Sequence, residues 1–242
     1  MYMVESEKQV MYVGWDVEAV FISRPNRFVA IVDILLPDVQ NVAVHVHDPG
    51  RLVDLLYRGN RLLLKKATNP GRKTEWDLIA AKKGNEWILV NSAYHRKIAE
   101  WVLSDPDISP LGQVDSIFPE QKIGDSRLDF LVLKRDKRIW VEVKGCTFVR
   151  DEIALFPDAP TTRGKRHLDE LTLAKKNGDN AAVLFLVFRA DAKYFSPNRL
   201  MDPGFYGSYQ KAKNAGVDFY PLLFNYREGN IYFNKTLLSH EI

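Results

Sequence analysis

The chain has 242 residues, of which 46% are hydrophobic and 27% charged, with a formal net charge of +3. That length suits one large domain or two modest ones, and the composition excludes a disordered or fibrous chain. No apolar run approaches the roughly 20 residues that span a bilayer, and the opening MYMVESEKQV has no basic stretch leading into an apolar one, so neither a membrane protein nor a signal peptide is expected.

The first third reads as β-rich. Gly14–Ser23, Phe28–Leu36, Asn41–His47, Arg61–Lys66, Thr74–Lys82 and Glu86–Val90 are strand-like runs, parted by turn signals at Arg24-Pro25-Asn26, Leu36-Pro37-Asp38 and Asn69-Pro70-Gly71. A short helix is expected over Arg51–Leu56, after Asp48-Pro49-Gly50. Short strands in a meander with one inserted helix predict a small closed barrel of OB type, over residues 1–88. From Arg51 to Lys83 nine Lys/Arg stand against three Asp/Glu, a locally positive surface able to attract phosphates; an ordinary solvated surface explains it equally well.

The pattern changes near residue 90, opening a second domain expected over 89–242. Ser92–Leu103 reads as a helix with Ile98, Trp101 and Val102 along one face, ended by Asp105-Pro106. Strands follow at Ser116–Lys122, Leu128–Leu133 and Ile139–Lys144, then a helix from Lys165 to Lys176 that stops at Asn177-Gly178. Ala182–Phe188 is continuously apolar, as in a strand buried on both faces. A helix at Tyr206–Asn214 leads to a last strand at Val217–Phe224. The order α-β-β-β-α-β, then α-β, implies a mixed central sheet with helices on its faces.

The hairpin LDFLVL–IWVEVK carries the chemistry. A turn at Arg135-Asp136 pairs Leu133 with Arg138, Leu131 with Trp140 and Asp129 with Glu142. Alternation then sets Leu128, Phe130, Val132, Ile139, Val141 and Val143 on one face, and Asp129, Glu142 and Lys144 at one end of the other. Two carboxylates brought together repel, and both stay ionised most easily around a divalent cation. Mg²⁺ or Mn²⁺ suits this donor set, since Mg²⁺ takes few protein carboxylates and bridges phosphate oxygens. Lys144, on the same face, can hold a water or a phosphate. The competing reading is a surface hairpin with a cross-strand ion pair, and Glu-x-Lys alone would favour it.

An acid on one strand and Glu-x-Lys on the next resembles the restriction-endonuclease-like (PD-(D/E)XK) superfamily. Three further stretches, RLDF at Arg127–Phe130, VEVKGCT at Val141–Thr147 and ALFPDAPTTRGKRHLDEL at Ala154–Leu171, resemble the sugar fermentation stimulation protein A family. NPGRKTEWDL at Asn69–Leu78 matches too, while HVHDPGRL at His45–Leu52 departs at Val46, His47 and Asp48, and VNSAYHRKI at Val90–Ile98 carries His95 where Asn is commoner. The resemblance covers nearly the whole chain. It implies an OB-like N-terminal domain, a nuclease-fold C-terminal domain and DNA binding, with cleavage or transcriptional regulation as the activity.

FPDAPTTRG at Phe156–Gly164 is a turn entering a helix that Thr161 or Thr162 can cap, and a helix N-terminus beside a metal suits phosphate. Arg163, Lys165 and Arg166 add positive charge, and His167 follows Arg163 by one helical turn. Arg163 and His167 are expected to meet phosphate or the attacking water, with Asp158 orienting a basic side chain; solvated charges at a helix entry are the alternative. Arg51, Arg72 and Lys73 are candidate phosphate contacts in the barrel. His45 and His47 share a face, but without further Cys or His a structural role is preferred to zinc. Glu100 is a minor candidate for a further metal carboxylate. The five tryptophans read as core, Trp76 being the best exception as a stacking platform. Cys146, the single cysteine, fits a reducing cytoplasm and packs as a small residue.

These readings converge on a DNA-binding phosphodiesterase whose cation is held by Asp129, Glu142 and the Val143 carbonyl, with Lys144, Arg163 and His167 as further catalytic groups. A non-catalytic DNA-binding regulator and an RNA-processing nuclease are the alternatives. DNA is the expected partner, RNA the second, no membrane is expected, and a homodimer is left open.

Overall fold

The computed structural model describes residues 7–69 and 71–240. Residues 1–6 and Pro70 of the expected Asn69-Pro70-Gly71 turn lie outside the described residues. The chain divides into two compact units. Of the described residues, the first holds those up to Tyr94 together with Phe188–Ala190 and Phe224–Lys235; the second holds His95–Val187, Asp191–Leu223 and those from Thr236 to His240. The two are interleaved along the chain, because two later segments of chain return to the first unit.

The first unit begins with β1 (Lys8–Tyr12), β2 (Val17–Asn26), β3 (Val29–Ile34), β4 (Val39–His45), β5 (Arg61–Lys66), β6 (Trp76–Lys83) and β7 (Glu86–Leu89). Strands β4, β3, β2, β5 and β6 follow one another as antiparallel neighbours. A parallel pairing of β4 with β6, Val44 with Trp76 and His45 with Asp77, closes them into the expected OB-type barrel. Alternation drives this closure. Ala19, Phe21, Ala30, Val32, Val44, Leu62, Leu64, Leu78 and Ala80 are all buried, and small residues among large ones let the interior fill without voids.

One expected element is absent. Arg51–Leu56 is a turn, not a helix. Leu52 takes a φ of 50°, outside the helical region, and its carbonyl accepts from both Leu55 and Leu56. Arg24 fixes the preceding loop, donating to the carbonyls of Asp48, Gly50 and Arg51. Asn60 closes the far side: its amide donates to the carbonyls of Leu55 at 2.6 Å and Lys82 at 2.9 Å, and its oxygen accepts from Arg61 N–H.

A 3₁₀ turn at Ser92–Tyr94 closes the first long stretch of the first unit, and the second unit opens on α1 (His95–Ser104), β8 (Ser116–Ile123), β9 (Ser126–Lys134) and β10 (Lys137–Cys146). Then come β11 (Val149–Arg150), β12 (Ile153–Phe156), α2 (Thr162–Lys176), β13 (Asn180–Val187), β14 (Tyr194–Pro197), α3 (Pro203–Asn214) and β15 (Asp218–Arg227), which passes into the first unit at Phe224; β16 (Asn230–Thr236) lies in the first unit up to Lys235, and β17 (Leu238–Ser239) is back in the second. The sheet runs β15-β13-β10-β9-β8, parallel across its first three strands and antiparallel across its last three. This is the mixed sheet implied by the element order. Residues Ala181–Val187 of β13 are all fully buried, since β13 has a parallel neighbour on each side and both faces are covered. Leu168, Leu171 and Ala174 of α2 and Phe205, Tyr209 and Ala212 of α3 pack into one core with Trp140, Val183, Phe185 and Val187.

Both helices start on side-chain caps. Thr161 Oγ1 accepts from Gly164 N at 3.0 Å, and Asp202 Oδ1 accepts from Phe205 N at 2.8 Å, with Pro203 at the first turn of α3. The second carboxylate oxygen of Asp202 accepts from Thr161 N at 2.8 Å, so one side chain ties the two helix entries together. A small second sheet, β11-β12-β14-β17, was not foreseen.

Asn60 offers a test of the barrel. It is 6% exposed, and truncation strands two buried carbonyls. Asn60→Ala is expected to lower unfolding free energy by about 2 kcal/mol, read from urea melts; an unchanged midpoint would show that water replaces the amide.

Candidate metal and phosphate site

The hairpin adopts the expected register: Arg138 pairs with Leu133, Trp140 with Leu131 and Val141 with Phe130. Leu128, Phe130, Val132 and Val141 are fully buried, so the apolar face is the anchored one. Beyond Val141 the ladder gives way. Asp129 does not meet Glu142 through the backbone; its Oδ2 accepts from Val143 N at 2.7 Å. A carboxylate thereby stands in for the main-chain acceptor at the place where β9 and β10 part.

Asp129, Glu142 and Lys144 are brought together. Glu142 is 2% exposed. Its Oε1 accepts from Lys144 Nζ and lies 2.5 Å from His167 Nδ1, while Oε2 is buried without a hydrogen-bond partner. Burial raises the Glu142 carboxyl, but the Lys144 charge and the contacts from His167 and Lys144 outweigh it and hold the group below its ordinary value. Asp129 goes the other way. Burial first, and the neighbouring Glu142 charge second, push it up to about 7 against the pull of Val143 N–H and Lys144. The two acids therefore occupy one site with opposed protonation preferences, as a close carboxylate pair should.

Helix α2 supplies the other half. His167 is 2% exposed and faces inward to Glu142; it presents no surface to phosphate, unlike the expectation from sequence. Arg163, one turn earlier, donates from Nε to His167 Nε2 at 3.3 Å. Lys165 is exposed and paired with Asp169 at 3.0 Å, and Arg166 is exposed. Asp158 is half-buried in the segment between β12 and α2. Among the described residues, no group of three or more His, Cys, Asp or Glu is arranged to hold a metal. Any cation here would take two carboxylates and complete its shell from backbone and water. Glu100 is exposed on α1.

One contact escaped sequence reasoning. Gly145, next to Lys144, lies directly beneath the His95 ring: a Cβ there would sit 2.1 Å from His95 Cε1. The residue is partly buried, and desolvation lowers the imidazole to about 4. The only signal was the presence of His95 itself at a position where Asn is the commoner residue.

The barrel candidates separate. Arg51 and Lys73 are exposed. Arg72 is held in a two-pronged pair with Asp77, at 3.0 and 2.6 Å, and Asp77 also contacts His47 Nε2 at 3.1 Å. His45 and His47 pack edge to face with centroids 4.4 Å apart, so this cluster satisfies itself where the barrel closes. Of the tryptophans only Trp140 is fully core, its Nε1 donating to Asp179 at 2.8 Å; Trp15 is 39% exposed and Trp76 is half-buried. Cys146 is buried, with Sγ 3.5 Å from the Leu155 carbonyl.

In protein free of divalent cations, the Asp129 carboxyl is expected to titrate near 7 by NMR. Glu142→Gln should lower that value only part of the way, because burial is the larger cause; a full return to the ordinary value would assign the shift to charge alone. The folded-state value lies above the unfolded one, so the stability that Asp129 contributes is fully present below the ordinary carboxylate range and is lost as pH rises through about 7.

Comparison with known proteins identifies the group. Residues 22–90 match the family described as "SfsA N-terminal OB domain", and residues 93–230 match "Sugar fermentation stimulation protein RE domain". A sugar fermentation stimulation protein homolog of Methanococcoides burtonii is 52% identical over 232 residues, covering 95% of this chain and 94% of that protein. One from Methanothermobacter thermautotrophicus is 44% identical over 83% of this chain and 82% of that protein. A solved structure of Pyrococcus furiosus SfsA, in complex with Ca²⁺, superposes with a TM-score of 0.88 at 25% identity, covering 96% of this chain and 99% of that one. The chain belongs to the sugar fermentation stimulation protein (SfsA) family.

Proposed function

We propose that this chain is a divalent-metal-dependent phosphodiesterase acting on nucleic acid, with DNA as the substrate. The observation that carries the reading is the unpartnered Oε2 of Glu142, a buried carboxylate oxygen beside a second carboxyl whose proton is held only up to about pH 7. An ionised, dehydrated oxygen with nothing to accept from is costly unless a cation meets it. The donors are hard oxygens, which suits Mg²⁺ or Mn²⁺. Val143 supports a third donor: its N–H points to Asp129, and in extended backbone the N–H and C=O of one residue face the same edge. The Ca²⁺ complex of the Pyrococcus furiosus relative adds independent support for a divalent cation in this family.

Asp129, Glu142 and the Val143 carbonyl would hold the cation, which when bound acidifies water and offsets charge on the phosphodiester. Lys144 keeps its ammonium on the Glu142 side of the site, where it orients water or a non-bridging oxygen. Arg163, in the first turn of α2, sits where a helix N-terminus favours anions; its Nε is engaged by His167, and its terminal nitrogens remain for phosphate. Exposed Lys165 and Arg166 on the same helix, and Arg51 and Lys73 on the barrel, extend the phosphate contacts. Arg72, committed to Asp77, contributes less than its charge implies.

The OB-type domain favours one second reading, a nucleic-acid-binding regulator that does not cut. Its binding would fall steeply with salt yet survive EDTA and Glu142→Ala.

The deciding measurement is turnover on labelled single- and double-stranded DNA and RNA with Mg²⁺ or Mn²⁺. Asp129→Ala and Glu142→Ala are each expected to cut the rate by a factor on the order of a hundred or more. Equal activity in both variants and the parent would mark a contaminant and remove the hydrolytic reading. A matched preference for RNA would reassign the substrate.

The pH response gives a second check. A cation must displace the Asp129 proton, so apparent Mn²⁺ affinity is expected to rise by up to about tenfold per unit below pH 7 and to level off above it. A flat profile from pH 5.5 to 8.5 would exclude Asp129 as a ligand.

A further inference from the structure

His167 presents a different chemistry from the one its position in a basic helix turn implies. It is 2% exposed and reaches neither polymer nor bulk water. Both ring nitrogens are committed. Arg163 Nε donates to Nε2 at 3.3 Å, which makes Nε2 the acceptor and leaves the proton on Nδ1. That proton points at Glu142 Oε1, 2.5 Å away. Lys144 donates to the same oxygen. Two donors on Oε1 and none on Oε2 fix the carboxylate in one rotation and leave Oε2 without a partner.

We infer that His167 is a positioning residue, which through an Nδ1–H tautomer enforced by Arg163 clamps Oε1 of Glu142 and so aims Oε2 at the cation. The inference rests on the metal-dependent reading and extends it to a residue that touches neither substrate nor metal. Helix α2 thereby serves the site twice. Its exposed first turn presents Arg163 to phosphate, and the residue one turn on transmits that arginine's orientation to the metal-facing carboxylate. Outer donors of this kind hold ligand geometry, and their loss typically costs about 10–100-fold in metal affinity. A merely packed histidine would require only volume.

The two nitrogens can be mimicked separately. The Asn amide places a donor near the position of Nδ1, whereas the Gln amide reaches toward Nε2. Calorimetric titration of Mn²⁺ into the full chain should show His167→Asn within about threefold of the parent, and His167→Gln and His167→Ala weaker by about 10–100-fold. Each variant's thermal melt is recorded alongside to establish that it is folded. A readout independent of any substitution is the ¹⁵N spectrum of the unsubstituted, cation-free protein. Neutral His167 should show the Nδ1–H tautomer, the minor one for a free histidine side chain, and Arg163→Ala should relax it toward Nε2–H. If the parent binds Mn²⁺ but all three His167 variants bind alike, or if the resting tautomer is Nε2–H, the positioning role is overturned and the metal site stands. If the parent takes up no Mn²⁺, the metal reading fails and this one with it.

Discussion

The cost of burying one carboxylate organises the second unit. A charged side chain at 2% exposure loses solvation worth several kcal/mol, and Glu142 recovers much of it through charge-assisted hydrogen bonds on a single oxygen. The second oxygen recovers none. This asymmetry makes the site unlike a structural ion pair, in which both oxygens are normally satisfied. Asp129 beside it keeps a proton up to about pH 7, through its own burial and the adjacent charge, so below that pH it can donate toward Glu142 and above it the two acids repel. The arrangement leaves one carboxylate oxygen unsatisfied, which is the point where the proposed cation would bind.

Sheet and helix share the work of building it. Strand alternation aims Glu142 and Lys144 to the same side of β10, and the parting of β9 from β10 frees Val143 N–H for Asp129. The cap at Thr161 fixes where α2 begins, and with it the positions of Arg163 and His167 along the helix. Asp202 ties that cap to the start of α3. Packing of Leu168, Leu171 and Ala174 then holds the helix on the sheet. A shift of one residue in either element would turn the histidine away from the glutamate, so precision at the site is inherited from elements stabilised mostly by apolar contacts.

Much of this was legible in the sequence, because the governing signals are periodic. The hairpin register followed from two apolar sets that mix under a one-residue slip, and β13 followed from an unbroken apolar run between two helices. The barrel followed from short alternating runs and punctuating turns. Strands β1 and β16 lie outside the expected runs, the last of which was Val217–Phe224, and the shorter elements that escaped lacked periodicity. Strands β11, β14 and β17 have two to four residues each, too few for alternation to register. The turn at Arg51–Leu56 carries leucines at helical spacing, yet Leu52 adopts a positive φ, which spacing does not report. At the site, sequence named His167 but not its partner. A histidine four residues after an arginine at a helix entry is equally consistent with facing phosphate or facing inward, and only the burial of the face decides.

The return of the chain to the first unit bears on how the protein can be dissected. Val13 N–H donates to the Gly229 carbonyl, Tyr226 donates its hydroxyl to the Val13 carbonyl, and β1 pairs along β16. Strand β7 likewise finds Tyr226 opposite Trp87. A fragment cut after Tyr94 would keep every strand of the barrel but forfeit these partners, exposing the flank of β7 and leaving β1 without a neighbour. Expression of the barrel in isolation therefore calls for residues 224–235 to be grafted back through a linker, rather than simple truncation.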